Sequence, residues 1–195
     1  MKTLMLSVNA VAFLLLAVIA GAAGAQELPA HRQVETGSGT VELDGVISDQ
    51  EYTLRHLTEA VAVYLVRLDE DTIQVAVEAA GEGWVSVGFG SEKMDGSRML
   101  IGFVEDGEAR FEEHLGSGWR HSLHEQPVVQ GSAVSRSTPP GPDTPVTTML
   151  EARLPAEAVE VNGRGEPFPI IYAVGPRPNF TARHRARGSQ MLVLE

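Results

Sequence analysis

The stretch GWVSVGFGSEKMDGSRMLIGFVEDGEARFEEHLGSGWRHS, Gly83 to Ser122, decides how the chain is read. Between Trp84 and Phe89, the residues Val85, Val87 and Phe89 alternate with Trp84, Ser86 and Gly88. A period of two sends one set to each face of a strand. Met99 to Val104 is apolar at nearly every position. Glu105-Asp106-Gly107 then predicts a hairpin, because Asp-Gly supplies the φ > 0 residues of a tight turn. Ala109 to His114 reads as a further strand.

The same texture runs outward in both directions. Upstream, Ala62 to Leu68 is rich in β-formers, and Thr72 to Ala79 sets Ile73, Val75 and Val77 against Gln74, Ala76 and Glu78. Downstream, Thr147 to Leu154, Phe168 to Val174 and Gln190 to Leu194 complete the predicted strands. Turn residues separate them: Asp69-Glu70-Asp71, Gly81-Glu82-Gly83 and the proline-rich Ser137 to Pro145. A helical turn is hinted at only in Pro155 to Val161. Many short strands with frequent turns predict an all-β, antiparallel sandwich, and no repeat is visible.

The first 25 residues read as something other than fold. Lys2 precedes an apolar run through Ile19, and small residues close it at Ala23-Gly24-Ala25. That is a secretory signal with an A-x-A-like site, expected to be cut after Ala25. The apolar core is short for a spanning helix, so the mature form is expected to be exported, periplasmic or secreted, and not membrane-spanning. Residues 26–40 are polar and aperiodic, and read as a flexible leader before a domain over 41–195.

Composition removes several chemistries. A formal net charge of −11 speaks against nucleic acid, whose phosphates are bound through clustered Lys and Arg. The chain has no cysteine. Disulfides, thiolate metal sites, iron–sulfur clusters and covalent c-type heme attachment are therefore excluded. About 170 residues would remain after cleavage, enough to bury a core unaided. No phosphate loop, G-x-S-x-G elbow or H-E-x-x-H is present. No independent catalyst is expected.

Six histidines remain: His31, His56, His114, His121, His124 and His184. His114, His121 and His124 lie in HLGSGWRHSLH, a segment read as a polar loop whose spacing matches no tight metal site. His184 stands among Arg183, Arg185 and Arg187. Met94 sits in a polar, glycine-flanked loop between two apolar strands, where a thioether is a soft ligand suited to heme iron or copper. Met99, the rival thioether, belongs to its strand.

Gly83 to Ser122 resembles the DOMON domain: a Gly-Trp strand with a Gly-Phe-Gly end, a methionine loop, an Ile-Gly strand and an Asp-Gly turn. The closing FTARHRARGSQMLVLE, Phe180 to Glu195, is similar to that family's last segment. There a histidine precedes Arg-Gly and the final strand. LDGVISDQEY, Leu43 to Tyr52, and TTMLEARLP, Thr147 to Pro155, resemble its opening and late strands. The resemblance spans Val41 to Glu195 with the motifs in order.

It implies an Ig-like sandwich. In the family's cytochrome branch it implies noncovalent heme b, with Met94 and His184 as the axial ligands of the iron. Two protein ligands leave no open position, so the expected role is single-electron transfer. Arg183, Arg185 or Arg187 would suit heme propionates. Relatives are often fused to a membrane cytochrome or a dehydrogenase; here a separate redox partner protein or membrane cytochrome is expected. The alternative is a carbohydrate- or other small-ligand-binding sandwich without heme. A third reading is a metal-binding protein using His114, His121 and His124.

Overall fold

The computed structural model describes residues 32–33, 41–48, 50–137, 141 and 143–194. The expected signal, most of the expected leader and part of the proline-rich loop lie outside the described residues. No helix among the described residues is long and apolar enough to cross a membrane.

Alternation builds two antiparallel sheets. The first holds β1 (Arg32–Gln33), β2 (Leu54–Leu57), β3 (Ala62–Arg67), β4 (Thr72–Ala80), β9 (Gly131–Arg136) and β10 (Thr147–Pro155), in the order β1-β2-β3-β4-β10-β9. The second holds β5 (Val85–Phe89), β6 (Arg98–Glu105), β7 (Glu108–Ser117), β8 (Arg120–Leu123), β11 (Phe168–Val174) and β12 (Ala186–Leu192), in the order β12-β11-β5-β6-β7-β8. The short helix α1 (Ala156–Val159) falls within the stretch where a helical turn was predicted. The protein is an all-β antiparallel sandwich.

Inward residues form the core. Val63, Leu65, Ile73, Val75, Val77, Leu150 and Leu154 of the first sheet pack with Val85, Val87, Phe89, Leu100, Phe168 and Ile170 of the second. Each is essentially inaccessible to water. Burying such a side chain contributes roughly 1.5–3 kcal/mol. The predicted Asp106-Gly107 turn is present, with φ of 51° and 82° joining β6 to β7.

Four strands escaped the sequence pattern, β1 within the expected leader among them, and one segment was misread. Strands β2, β8 and β9 carry weak apolar alternation because they lie at or beside sheet edges. HLGSGWRHSLH, expected as a polar loop, is the β7–β8 hairpin, with Gly116 opposite His121 and Ser117 opposite Arg120. Backbone pairing to β6 holds it, and its exposed outer edge accounts for its polar composition.

The opening segment is fastened by one carboxylate. Glu151, fully buried on β10, accepts hydrogen bonds from the backbone N–H of Asp44 (3.2 Å) and Gly45 (2.7 Å), and from the Tyr52 hydroxyl. Gln74 Nε2 donates to the Tyr52 oxygen at 3.0 Å. The segment 41–52 is thereby laid over the outer face of the first sheet.

Candidate functional site

The second sheet is apolar on both faces, and that explains the unbroken run in β6. Leu100 points into the core, while Met99, Ile101 and Phe103 point outward and are still at most 5% exposed. With Trp84 they form a separate cluster, against which Ile171, Ala173, Met94, Phe180 and Ala182 also pack. Gly88 makes the close packing possible: a Cβ there would lie 2.8 Å from Ile171 Cγ1 and 3.0 Å from Met99 Cγ.

Two chain segments cover this patch. One is the loop carrying Met94. Ser97 N–H donates to the Met94 carbonyl at 3.1 Å, closing a turn. Gly96 N–H donates to Gly116 O at 3.0 Å, Gly116 N–H to Ser97 O at 2.9 Å, and Gly118 N–H to Asp95 Oδ1 at 2.7 Å. The loop is thus tied to the β7–β8 hairpin. A Cβ on Gly116 would sit 1.6 Å from the Met94 carbonyl oxygen, so only glycine admits this approach.

The other cover is the segment from Gly175 to Arg185. Trp84 grips it: its indole Nε1–H donates to Ala182 O at 3.0 Å, and its carbonyl accepts from Gly175 N–H at 2.8 Å. Phe180 packs edge-on against Phe103 at 4.6 Å and stacks with His114 at 5.6 Å. His184 follows two residues after Ala182 and two before β12. Burial, with the positive charges of Arg187 and Arg183, holds its imidazole below the ordinary value. It is therefore neutral near pH 7, with a lone pair to offer.

The Met94 loop and the segment leading to His184 thus meet one apolar patch on the outer face of the second sheet. Met99 lies under the patch as part of β6. Of the three arginines, Arg185 donates to Ala80 O, whereas Arg183 and Arg187 present exposed guanidiniums. The donor set suits heme iron: a soft thioether, a neutral imidazole, an apolar surface between their segments, and cations beside it.

The histidine trio is split. His114 is 6% exposed, and its Nδ1 lies 2.7 Å from His121 Nδ1, while its Nε2 lies 2.6 Å from Glu112 Oε2. His124 instead accepts from Gln126 N–H at 3.0 Å. No three His, Asp or Glu side chains among the described residues converge as a metal site. Trp84, Phe180 and Gly116 were not marked by the sequence as site-building residues. The glycine in HLGSGW was visible, but its reason is a contact across the fold.

Comparison with protein-family models finds no match, and comparison with curated proteins finds none. Solved structures do match. The cytochrome b domain of pyranose dehydrogenase from Coprinopsis cinerea aligns with a TM-score of 0.50 at 10% identity, over 68% of this chain and 76% of that one. The cytochrome domain of Myriococcum thermophilum cellobiose dehydrogenase aligns with a TM-score of 0.49 at 10% identity, over 69% of this chain and 75% of that one. At such identity the likeness is one of fold: an antiparallel β-sandwich shared with a cytochrome b domain.

Proposed function

We propose that this chain is an exported b-type electron-transfer domain of the DOMON type, with heme b held noncovalently by Met94 and His184. The observation that carries the reading is the convergence of the Met94 loop and the Trp84-gripped segment ahead of His184 on one outer-face apolar patch. The fold likeness to a cytochrome b domain supports it. Bound there, heme would exchange single electrons with a separate redox partner.

The chain's own residues divide the work. Met99, Ile101, Phe103, Ile171 and Ala173 form the buried apolar floor beneath the Met94 loop and Phe180, and would keep water from a heme held between those covers. The Met94 thioether would favour Fe(II) and raise the reduction potential, and the neutral His184 imidazole would supply a nitrogen ligand. Arg183 and Arg187 are exposed and cationic, suited to propionates. With Met94 and His184 both holding the iron, no position would remain for substrate, so the role would be electron transfer rather than bond-making catalysis.

The test is a visible spectrum of the protein from heme-replete cells, before and after dithionite. A sharp Soret band with resolved α and β bands is expected, and His184→Ala should abolish the low-spin form. A featureless spectrum unaltered by added heme would refute the reading.

One observation favours a second reading, a glycan-binding sandwich. Trp119, at the β7–β8 turn, is 89% exposed, as a sugar-stacking platform requires. Binding to a glycan array, lost in Trp119→Ala without any heme spectrum, would favour it.

A further inference from the structure

The pair His114 and His121 has no part in the heme reading, yet its geometry is specific. Two imidazole nitrogens 2.7 Å apart cannot both present lone pairs to each other; something positive must lie between them. Glu112 decides which tautomer His114 adopts. Its Oε2 is 2.6 Å from His114 Nε2, so that nitrogen carries the proton and Nδ1 carries the lone pair. In the resting pair His121 Nδ1–H then donates to His114 Nδ1, and His121 Nε2 is unprotonated.

We infer that His114 Nδ1 and His121 Nδ1 form a two-nitrogen site for a square-planar divalent cation, Cu2+ above all. Two nitrogens bound cis to one ion, each at about 2.0–2.1 Å, stand about 2.9 Å apart. The observed 2.7 Å needs a few tenths of an ångström of opening and a turn of the half-buried His121 ring, so that both lone pairs converge on the ion. A tetrahedral ion would ask for roughly 3.3 Å, a larger movement of a buried ring. Square-planar nitrogen sites select Cu2+ or Ni2+, and Cu2+ binds more tightly of the two. On binding, the proton on His121 Nδ1 leaves and His121 Nε2 takes one from solvent, so both rings stay neutral. Water completes the coordination, since no third His, Asp or Glu among the described residues converges there.

Glu112 is a positioning residue in this site. It touches His114 from the side away from the ion and holds the ring in the ligand tautomer. His124 stays outside, its Nδ1 occupied by the Gln126 amide. Phe180 stacks on His114 and limits how far that ring can turn.

The experiment is a titration of the full chain with CuSO4, followed by electron paramagnetic resonance and calorimetry, with ZnSO4 as the comparison. One equivalent of Cu2+ with nitrogen superhyperfine structure is expected, bound more tightly than Zn2+. His121→Ala, a half-buried position on an edge strand, should remove that equivalent while circular dichroism stays native. Glu112→Ala should weaken it about tenfold. His124→Ala should leave it unchanged. If His121→Ala binds as many equivalents as the parent with the same spectrum, or if Zn2+ binds as tightly as Cu2+, the inference fails. Neither result bears on the heme spectrum, so the two readings fall separately.

Discussion

Met94 and His184 differ in how they are held, and the difference shapes what substitution should do. Met94 rides on a loop tied through Gly96, Ser97 and Gly116. If heme binds as proposed, Met94→Ala should leave the heme bound but lower its reduction potential, because the sulfur that favours Fe(II) is gone. Potentiometry reads this directly, and an unchanged potential would point to Met99. Gly116→Ala tests the tie itself. Its Cβ would collide with the Met94 carbonyl, so a loss of about 1–3 kcal/mol in urea unfolding is expected.

A buried charge gives the sharper expectation at the same scale. Glu113 is 3% exposed, pairs with Arg98, and accepts from the N–H groups of Val128 (2.9 Å) and Val129 (3.1 Å). Glu113→Ala would leave a half-buried guanidinium and two amides without an acceptor. Breaking a buried pair costs about 3–5 kcal/mol, measurable by chemical denaturation. Nothing in EARFEEHL distinguishes Glu113 from Glu112. Strand parity separates them: Glu113 lies opposite the inward Leu100, and Glu112 opposite the outward Ile101.

At the level of elements, the outer cover of the second sheet depends on Trp84. Trp84→Phe keeps the ring but removes the donor to Ala182 O. About 1 kcal/mol should be lost, and amide exchange between Gly175 and Arg185 should quicken relative to the strands. Hydrogen-exchange mass spectrometry would show it. The opening segment depends on Glu151 in the same way. Burial raises the Glu151 carboxyl above its ordinary range, despite the hydrogen bonds from Tyr52, Gly45 and Asp44. The folded state therefore holds this proton more tightly than the unfolded state. Its contribution is fully present below the ordinary carboxylate range and is lost as pH rises through the raised value. The difference in stability between the parent and Glu151→Gln should change across that window in urea titrations at several pH values; a constant difference would count against it.

The elements also show which parts of the chain were legible. Central strands β4, β5, β6 and β11 declare themselves because both or alternate faces are apolar. Strand β12 starts at Ala186, four residues earlier than its apolar run at Gln190. Arg187, Gly188 and Ser189 pair with Ala173, Tyr172 and Ile171 although their side chains give no strand signal. Edge strands are stabilised mainly by a neighbour's backbone, and composition does not carry that information.

Taken whole, the molecule should respond to heme as any fold responds to a ligand that only the folded state binds. At free heme one hundred times its dissociation constant, stabilisation is about 2.7 kcal/mol. For a domain near 150 residues that raises Tm by roughly 5–10 °C. Differential scanning fluorimetry with and without heme would measure it. A shift absent in His184→Ala would tie the gain to that ligand.

The sequence by itself determined the sandwich, since a period of two repeated between turn residues buries one face of each strand whatever the details. It also drew notice to Met94, a thioether in a polar loop, and to His184 among its arginines; that the two form a ligand pair came only from the resemblance to the DOMON domain. Only the tertiary structure decided that β6 is buried on both faces, that Trp84 grips the segment before His184, and that His114 meets His121 but not His124. Those outcomes depend on strand register and on which edge receives the next strand. Both are set by backbone pairing between residues as far apart as Val85 and Val174, and no local pattern of side chains encodes such a distance.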